Sequence, residues 1–427
     1  MTPTLRITRR AADRLRSGHL WVYRSDIEQP DETLTPGALV TVVDNRKIPL
    51  GTALYSTTSQ IAARLISRTP ALTREHYLAD LQGRIESALT LRRELAPVTP
   101  EDNAHRLIFA EADNLPGIIA DRYNDLVLLQ LVTQGTAQDD VRKVLVDALR
   151  AQLTRGNEPL TLWERPDPRI RELEQLPAPA PGPLFTNAAS PEAAPVTTTF
   201  ILNGLRFHYD ASAGQKTGAF LDQRLNYEAA ARHVLASGRS GRALDVCTYQ
   251  GGFALHLARV CSQVTGVDQS RSALEAAELN LTLNPDLRSG VDWVEADAFT
   301  LLRALDDATR NPSATENLPL APGAFDAIVL DPPAFAKSKR ATEGALRGYK
   351  ELNLRAIRLL APGGTLITCS CSHHVSLADF TEIVAAAAAD AGRRVQLLET
   401  RAAAPDHPEI LTLPETRYLK CLICRVD

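Results

Sequence analysis

An α/β architecture is predicted for this chain, with a largely parallel sheet covered by helices in its C-terminal part. Three observations predict it. From about residue 242 onward, strand-like apolar runs alternate with runs of helical period, the pattern of strand–turn–helix units. The first 70 residues read instead as short strands broken by turn residues, a small β-barrel or sandwich. Between these lies a block that mixes both kinds of element. A chain of 427 residues calls for two or three domains. The expected boundaries are 1–70, 71–190 and 191–427.

The elements follow in order. GALVTVVDNRKIPLGTALYS (37–56) holds two apolar runs around Asp44 and Asn45, and IAARLIS (61–67) follows it. The stretch at 72–95 places Leu78, Leu81, Ile85 and Leu89 at helical spacing with no internal proline. In LPGIIADRYNDLVLLQL (115–131), a Pro-Gly and an Asn-Asp turn bound two strands, and a helix is expected over 141–153. Residues 177–195 are rich in Pro and Ala and read as a semi-rigid linker or irregular surface segment. Asn203-Gly204 between alternating runs predicts a hairpin, because both residues tolerate positive φ. Beyond it, strands are expected at 243–249, 263–269, 291–297, 326–333 and 364–372, and helices at 253–260, 272–283, 351–360 and 379–391.

Composition excludes several classes. Hydrophobic residues at 44% and charged residues at 23% describe a globular chain. MTPTLRITRR lacks the apolar core of a signal peptide, and no apolar run approaches the ~20 residues of a membrane helix. Six cysteines, all from Cys247 onward, suit a reduced cytoplasm rather than a disulfide scaffold. The net charge of −4 argues against a bulk electrostatic grip on nucleic acid. A local basic face is still available, since Arg6, Arg9, Arg10, Arg14, Arg16, Arg24, Arg64 and Arg68 crowd the N-terminal segment.

In open α/β sheets, ligands bind at the carboxyl ends of the strands. Four acids fall there. Asp245 precedes CTYQGGF, where Gly251 and Gly252 permit a tight turn and a close backbone approach. Asp268 follows by about 20 residues, where a carboxylate can accept both hydroxyls of a ribose. Asp297 ends the third strand, placed to meet an adenine edge, and Asp331 ends the fourth. CTYQGGF is not the G-x-G-x-x-G cradle of a dinucleotide, so a ligand with a ribose and no phosphate is favoured: S-adenosylmethionine (SAM). The bland alternative is that these acids cap helices, which suits one or two of them.

Asp331-Pro332-Pro333 forms a stiff loop poor in N–H groups that can present a carboxylate and a carbonyl to a planar base. Phe335 either stacks on that base or packs on the core. The motif alone does not choose carbon or nitrogen as the methyl acceptor. Cys371 does. A thiolate added to C6 of a pyrimidine makes C5 nucleophilic, whereas amine methylation needs no such help. Cys369 lies two residues earlier in an apolar run and reads as core. Zinc held by Cys369, Cys371, His373 and His374 is disfavoured, since ligands so close in extended chain do not close a tetrahedron. No metal is expected. Cys421 and Cys424 have C-x-x-C spacing in an apolar run and read as core packing.

GQKTGAFLDQR (214–224), CTYQGGF (247–253), LDPPAFAKSK (330–339), RGYKELN (347–353), SCS (370–372), DHP (406–408) and YLK (418–420) occur in matching order. On these the chain resembles the bacterial large-subunit ribosomal RNA cytosine-C5 methyltransferases of the RlmI type, almost end to end. GHLWVY (18–23) resembles the opening of that family's RNA-binding PUA domain. The resemblance implies an N-terminal PUA-like β-barrel, a central α/β domain and a C-terminal Rossmann-like class I methyltransferase sheet. It implies Cys371 as nucleophile and Asp331 as the acid at the base. It implies SAM held by Lys216, Thr217, Phe220, Asp245, Thr248, Tyr249, Gly251, Gly252, Phe253, Asp268, Gln269, Ser270, Asp297, Ala298 and Asp331, and substrate at Pro332, Pro333 and Phe335. The expected partner is large-subunit ribosomal RNA in the cytoplasm, with no membrane, and a homodimer is admitted. The base that takes the C5 proton is unassigned. Residues 166–200 and His373-His374 depart from the family pattern. The competing readings are an N-methyltransferase on an RNA base that uses DPPAF without a covalent step, an RNA-binding module with a vestigial SAM fold, and, remotely, a nicotinamide dehydrogenase.

Overall fold

The computed structural model describes residues 3–28, 34–154, 158–165, 167–212, 219–311, 318–335 and 342–427. The chain forms two compact units. One comprises Met1–Ile201, Tyr209–Ala219 and Pro405–Thr416, and the other comprises Leu202–His208, Phe220–Ala404 and Arg417–Asp427.

The first unit holds two five-stranded sheets. Strands β1 (Thr4–Arg6), β2 (Trp21–Tyr23), β3 (Leu39–Val43), β4 (Pro49–Tyr55) and β5 (Ile61–Ser67) pair in the order β1-β3-β4-β5-β2. Helix α1 (Arg9–Arg16), missing from the all-strand expectation, buries Ala11, Ala12 and Leu15 against Val40, Val42 and Ala53. Thr8 starts it by accepting the Ala11 N–H. The second sheet holds β6 (Ala104–Phe109), β7 (Ile118–Tyr123), β8 (Leu126–Leu131), β9 (Thr161–Glu164) and β10 (Phe185–Thr186), in the order β10-β9-β8-β7-β6. The Asn-Asp turn between β7 and β8 is present, with Asn124 at φ 53°. The Pro/Ala-rich segment contributes β10, whose two residues pair with Leu162 and Thr161. Helices α2 (Arg74–Leu95) and α3 (Asp139–Leu153) bury Leu81, Ile85, Leu89 and Leu145 in one core with Leu54, Ile66, Val127 and Leu129.

DHP is an anchor in this unit. The Asp406 carboxylate accepts the Arg106 backbone N–H at 2.8 Å, and its carbonyl accepts from Arg92 at 2.9 Å. Arg92 is itself buried and paired with Asp113 at 2.6 Å. Burying an arginine this fully is sustainable because both its charge and its donors are met.

Most of the N-terminal arginines are also used internally. Arg6 pairs with Glu28, Arg14 with Asp26 and Arg16 with Asp44. Arg24 donates to the Tyr55 hydroxyl and the Ser56 and Ser59 carbonyls. Arg64 lies between Glu111 and Glu174, and Arg68 donates to the Leu15 carbonyl. Of the eight arginines expected to form a basic face, Arg9 and Arg10 stand exposed on α1; among the described residues Arg9 makes a loose pair with the also exposed Asp13 one turn on, at 3.8 Å. Arg46 and Lys47 are exposed beside them in type if not in place, on the turn after β3.

Strands β11 (Thr197–Leu202) and β12 (Leu205–Asp210) form the expected hairpin. Asn203 at φ 49° and Gly204 at φ 78° give the turn its two left-handed residues.

The second unit is built on a seven-stranded sheet. Its strands are β13 (Arg242–Val246), β14 (Gln263–Asp268), β15 (Val291–Glu295), β16 (Phe325–Leu330), β17 (Leu360–Ser370), β18 (Val395–Arg401) and β19 (Lys420–Val426), in the order β15-β14-β13-β16-β17-β19-β18. The first five are mutually parallel, and β19 enters antiparallel between β17 and β18. Helices α5 (Arg224–Ala236), α6 (Gly252–Ala258), α7 (Arg271–Thr282), α8 (Ala298–Arg310), α9 (Thr342–Leu359) and α10 (Leu377–Ala391) connect or follow the strands; the short α4 (Pro168–Glu174) belongs to the first unit. Strand β13 pairs with β14 on one side and β16 on the other, so the order reverses there. A reversal of this kind opens a crevice at the strands' carboxyl ends.

Candidate active site

The loop after β13 is built from backbone strain and paired polar groups. Cys247 and Tyr249 both hold positive φ, 64° and 51°, which costs side-chain-bearing residues energy and persists only where neighbours enforce it. Here the Asp245 carboxylate accepts the Thr248 hydroxyl at 2.6 Å and the Ala254 N–H at 2.9 Å. Asp268 accepts the Tyr249 N–H at 2.9 Å. Gly251, at φ 85°, starts α6. The loop is thus held in place before any ligand arrives.

The strand-end acids divide by role. Asp245 is fully buried, its second oxygen has no partner among the described residues, and burial pushes its carboxyl up to about 7. Asp268 accepts one backbone N–H on each oxygen, from Tyr249 and from Ser270. A carboxylate oxygen has two acceptor sites, so both retain capacity for ribose hydroxyls. Asp297 accepts the Thr300 N–H and hydroxyl and caps α8, the role expected of one or two of the four. Ser270 likewise caps α7, with Gln269 exposed between it and Asp268, and Ala298 opens α8.

Not every residue expected at the cofactor faces the crevice. Phe253 is 3% exposed and packs edge-on against Tyr227 at 4.7 Å. A side chain on Gly252 would meet the Tyr227 ring at 2.5 Å, so this glycine serves packing. Phe220 stands edge-on to Tyr249 at 5.0 Å, one aromatic wall of the loop. Lys216 and Thr217 lie outside the described residues.

Asp331 follows β16 directly. The Gln223 amide donates to both its oxygens at 3.0 Å. Asn226 donates to the Gln223 carbonyl oxygen at 2.6 Å, which fixes which end of that amide faces Asp331. Burial, with the charges of Asp222 and Asp245 nearby, pushes the Asp331 carboxyl up to about 8, against the opposing effect of the Gln223 bond. That favours the protonated acid. Pro332 is buried and Pro333 exposed. Phe335 is half-buried with its ring 4.8 Å from Tyr349 and 5.8 Å from Phe299, which is the core-packing alternative rather than a free stacking surface.

Cys371 stands one residue past β17 and is half-buried. Its Sγ lies 3.9 Å from the Pro332 carbonyl oxygen, so the sulfur sits at the Asp331 loop. Cys369 is fully buried and directly opposite Cys421 in the β17–β19 register, while Cys424 faces Leu366. Two further groups escaped the sequence reading, Gln223 and Lys420. Both fall inside stretches that carried the resemblance, 214–224 and 418–420, and their partners lie more than 40 residues away.

The family described as a PUA-like domain matches residues 5–68, and the family described as an S-adenosylmethionine-dependent methyltransferase matches residues 190–424. Among curated proteins, the ribosomal RNA large subunit methyltransferase I of Cronobacter sakazakii is 36% identical over 409 residues, covering 96% of this chain and 95% of the relative. That of Escherichia coli is also 36% identical over 409 residues, with the same shares. A solved structure described as a SAM-dependent methyltransferase from Streptococcus mutans shares the fold at a TM-score of 0.76 and 19% identity, over 99% of this chain and all of that one. A structure of SMU.776, a methyltransferase complexed with SAH, superposes equally well. With a pre-built loop at the carboxyl ends of a reversing parallel sheet and these relatives across nearly its whole length, the chain is a SAM-dependent methyltransferase and belongs to the ribosomal RNA large subunit methyltransferase I family.

Proposed function

We propose that the chain methylates C5 of a cytosine in large-subunit ribosomal RNA through a covalent adduct with Cys371. The relatives' names support ribosomal RNA as substrate. The observation that carries the C5 reading is the place of the Cys371 sulfur, 3.9 Å from the Pro332 carbonyl of the Asp331 loop. An amine methyltransferase has no use for a thiol there.

The residues divide the work. Asp268 would hold the ribose of SAM, with Phe220, Tyr249 and Asp297 around the adenosyl group. SAM supplies the electrophilic methyl group that C5 accepts. A protonated Asp331 can donate to cytosine N3 while its carbonyl oxygen accepts from the exocyclic amine. That withdraws electron density from the ring and favours attack at C6. The Cys371 thiolate forms the C6–S bond, and the C5–C6 π electrons become available at C5. After C5 is methylated, a base removes the C5 proton and the C6–S bond breaks, returning the electron pair to sulfur. Pro332 and Pro333 keep the Asp331 loop rigid enough for the base to be held against the thiol. Where the cytosine lies in a duplex, extruding it costs a few kcal/mol.

The test is product and adduct together. Wild-type protein is expected to yield 5-methylcytidine on nucleoside mass analysis of ribosomal RNA from a deletion strain. RNA carrying 5-fluorocytosine should trap a stable protein adduct, since fluorine does not leave as a proton does. Cys371→Ala should abolish both while calorimetry shows SAM binding intact. An N-methylated product, or full activity in Cys371→Ala, rejects the proposal.

A further inference from the structure

Lys420 opens β19 and is 4% exposed. Its ammonium donates to the Ser372 carbonyl at 2.7 Å and the Tyr418 carbonyl at 2.8 Å. Among the described residues these are its hydrogen-bond partners, and no carboxylate pairs with it. An ammonium has three N–H bonds, so one remains. Burying a cation without a counter-ion is costly, and chains avoid it unless a negative charge arrives in function. The residue it grips, Ser372, adjoins Cys371.

We propose that Lys420 is the counter-ion of the Cys371 thiolate, holding the turn by its carbonyl and favouring loss of the thiol proton. The proposal rests on the covalent reading above. In the step it assists, the S–H bond breaks, the proton passes to solvent and the electron pair stays on sulfur. Nothing is oxidised or reduced. Lys420 acts through Cys371 and is a positioning residue.

Among the described residues, the other titratable groups around this turn do not supply that cation. The Pro332 carbonyl, next to Asp331, faces the sulfur from beyond β16, and burial with the nearby Asp222 charge raises the Asp331 carboxyl, which favours its neutral form. Tyr349 on α9 hydrogen-bonds the Ser372 hydroxyl at 2.9 Å. Cys369 and Cys421 lie beneath, in register with each other. His373 is exposed and tilts against Tyr418 at 5.6 Å, and His374 is exposed beside it. Burial draws the Lys420 ammonium down to about 8, and the one charge that supports its protonated form is that of Cys371.

The experiment is peptide-resolved alkylation of Cys371 against pH in the full chain, without RNA. In wild-type protein the midpoint should lie below that of an ordinary thiol, about 8.5. Lys420→Gln keeps amide donors for the carbonyls and removes the charge. Its midpoint should rise by about one pH unit or more, with ~10-fold slower methylation at neutral pH that recovers as pH rises. SAM affinity should not change. Lys420→Arg should titrate close to wild type. A wild-type midpoint at or above the ordinary value, or an unshifted midpoint in Lys420→Gln that binds SAM normally, overturns the proposal. The wild-type measurement decides even if Lys420→Gln does not fold. Full methylation by Cys371→Ala would instead overturn the covalent reading, and it is told apart because the titration needs no RNA.

Discussion

At the scale of single residues, Asp331 carries opposite consequences for stability and for chemistry. Burial and the neighbouring acids raise its carboxyl from 3.8 to about 8. Between those values the unfolded chain ionises while the folded chain keeps its proton. The folded state therefore binds more protons, and this group's contribution to stability falls as pH rises across that window, then levels above it. Asp331→Asn mimics the neutral acid at every pH. It should match wild type in urea near pH 4 and exceed it by on the order of 2 kcal/mol near pH 8.5. Methylation should fall at least ~100-fold, because an amide hydrogen-bonds N3 but gives up no proton. Equal stability of the two proteins at both pH values would contradict the burial argument. Asp331 and Cys371 were both legible in the sequence, because a residue just past a strand end has few places to go in a parallel sheet. Gln223 and Lys420 were not. Their significance lies in partners 108 and 48 residues away, and spacing along a chain carries no record of such pairings.

At the scale of elements, local chemistry predicted more than periodicity did. The hairpin at Asn203-Gly204 and the strand–turn–helix units are where turn residues and apolar runs placed them. Among the elements that escaped, β18 and α8 did so for identifiable reasons. In β18 the adjacent exposed pair Leu397 and Leu398 sits at a register shift between Leu397 and Glu399, so alternation with period two fails. Helix α8 starts at Asp297, which as a cap announces a helix but as a strand-end acid announces a ligand, and one residue type serves both. The glycine pair after β13 divides in the same way. Gly251 answers a backbone need, and Gly252 answers the Tyr227 ring. Gly252→Ala would push a methyl group into that ring at 2.5 Å, between elements α5 and α6 that pack closely. Overpacking of this kind costs ~1–3 kcal/mol. The urea midpoint should drop accordingly at an unchanged slope. A variant as stable as wild type would return Gly252 to the role of ligand contact.

At the scale of the whole molecule, the question is which charges can hold RNA when the net charge is −4. Eight N-terminal arginines suggested a broad basic face, but a guanidinium tied to a carboxylate inside its own domain offers a phosphate little. Arg6, Arg14, Arg16 and Arg64 are tied to carboxylates, and Arg24 and Arg68 to carbonyls and a hydroxyl. Sequence could not separate these from Arg9 and Arg10, because the partners of the former are set by the fold. Each phosphate contact contributes about one unit to the slope of log affinity against log salt. Arg9→Gln with Arg10→Gln should therefore lower that slope by up to about two, weaken ribosomal RNA binding at low salt, and leave thermal stability within about 0.5 kcal/mol. Arg64→Gln should do the reverse, since it strands Glu111 and Glu174 without their cation: stability falls while the salt slope holds. Binding measured between ~50 and 200 mM salt distinguishes the two classes. A slope unchanged in the Arg9/Arg10 double variant would move the phosphate contacts off α1 altogether.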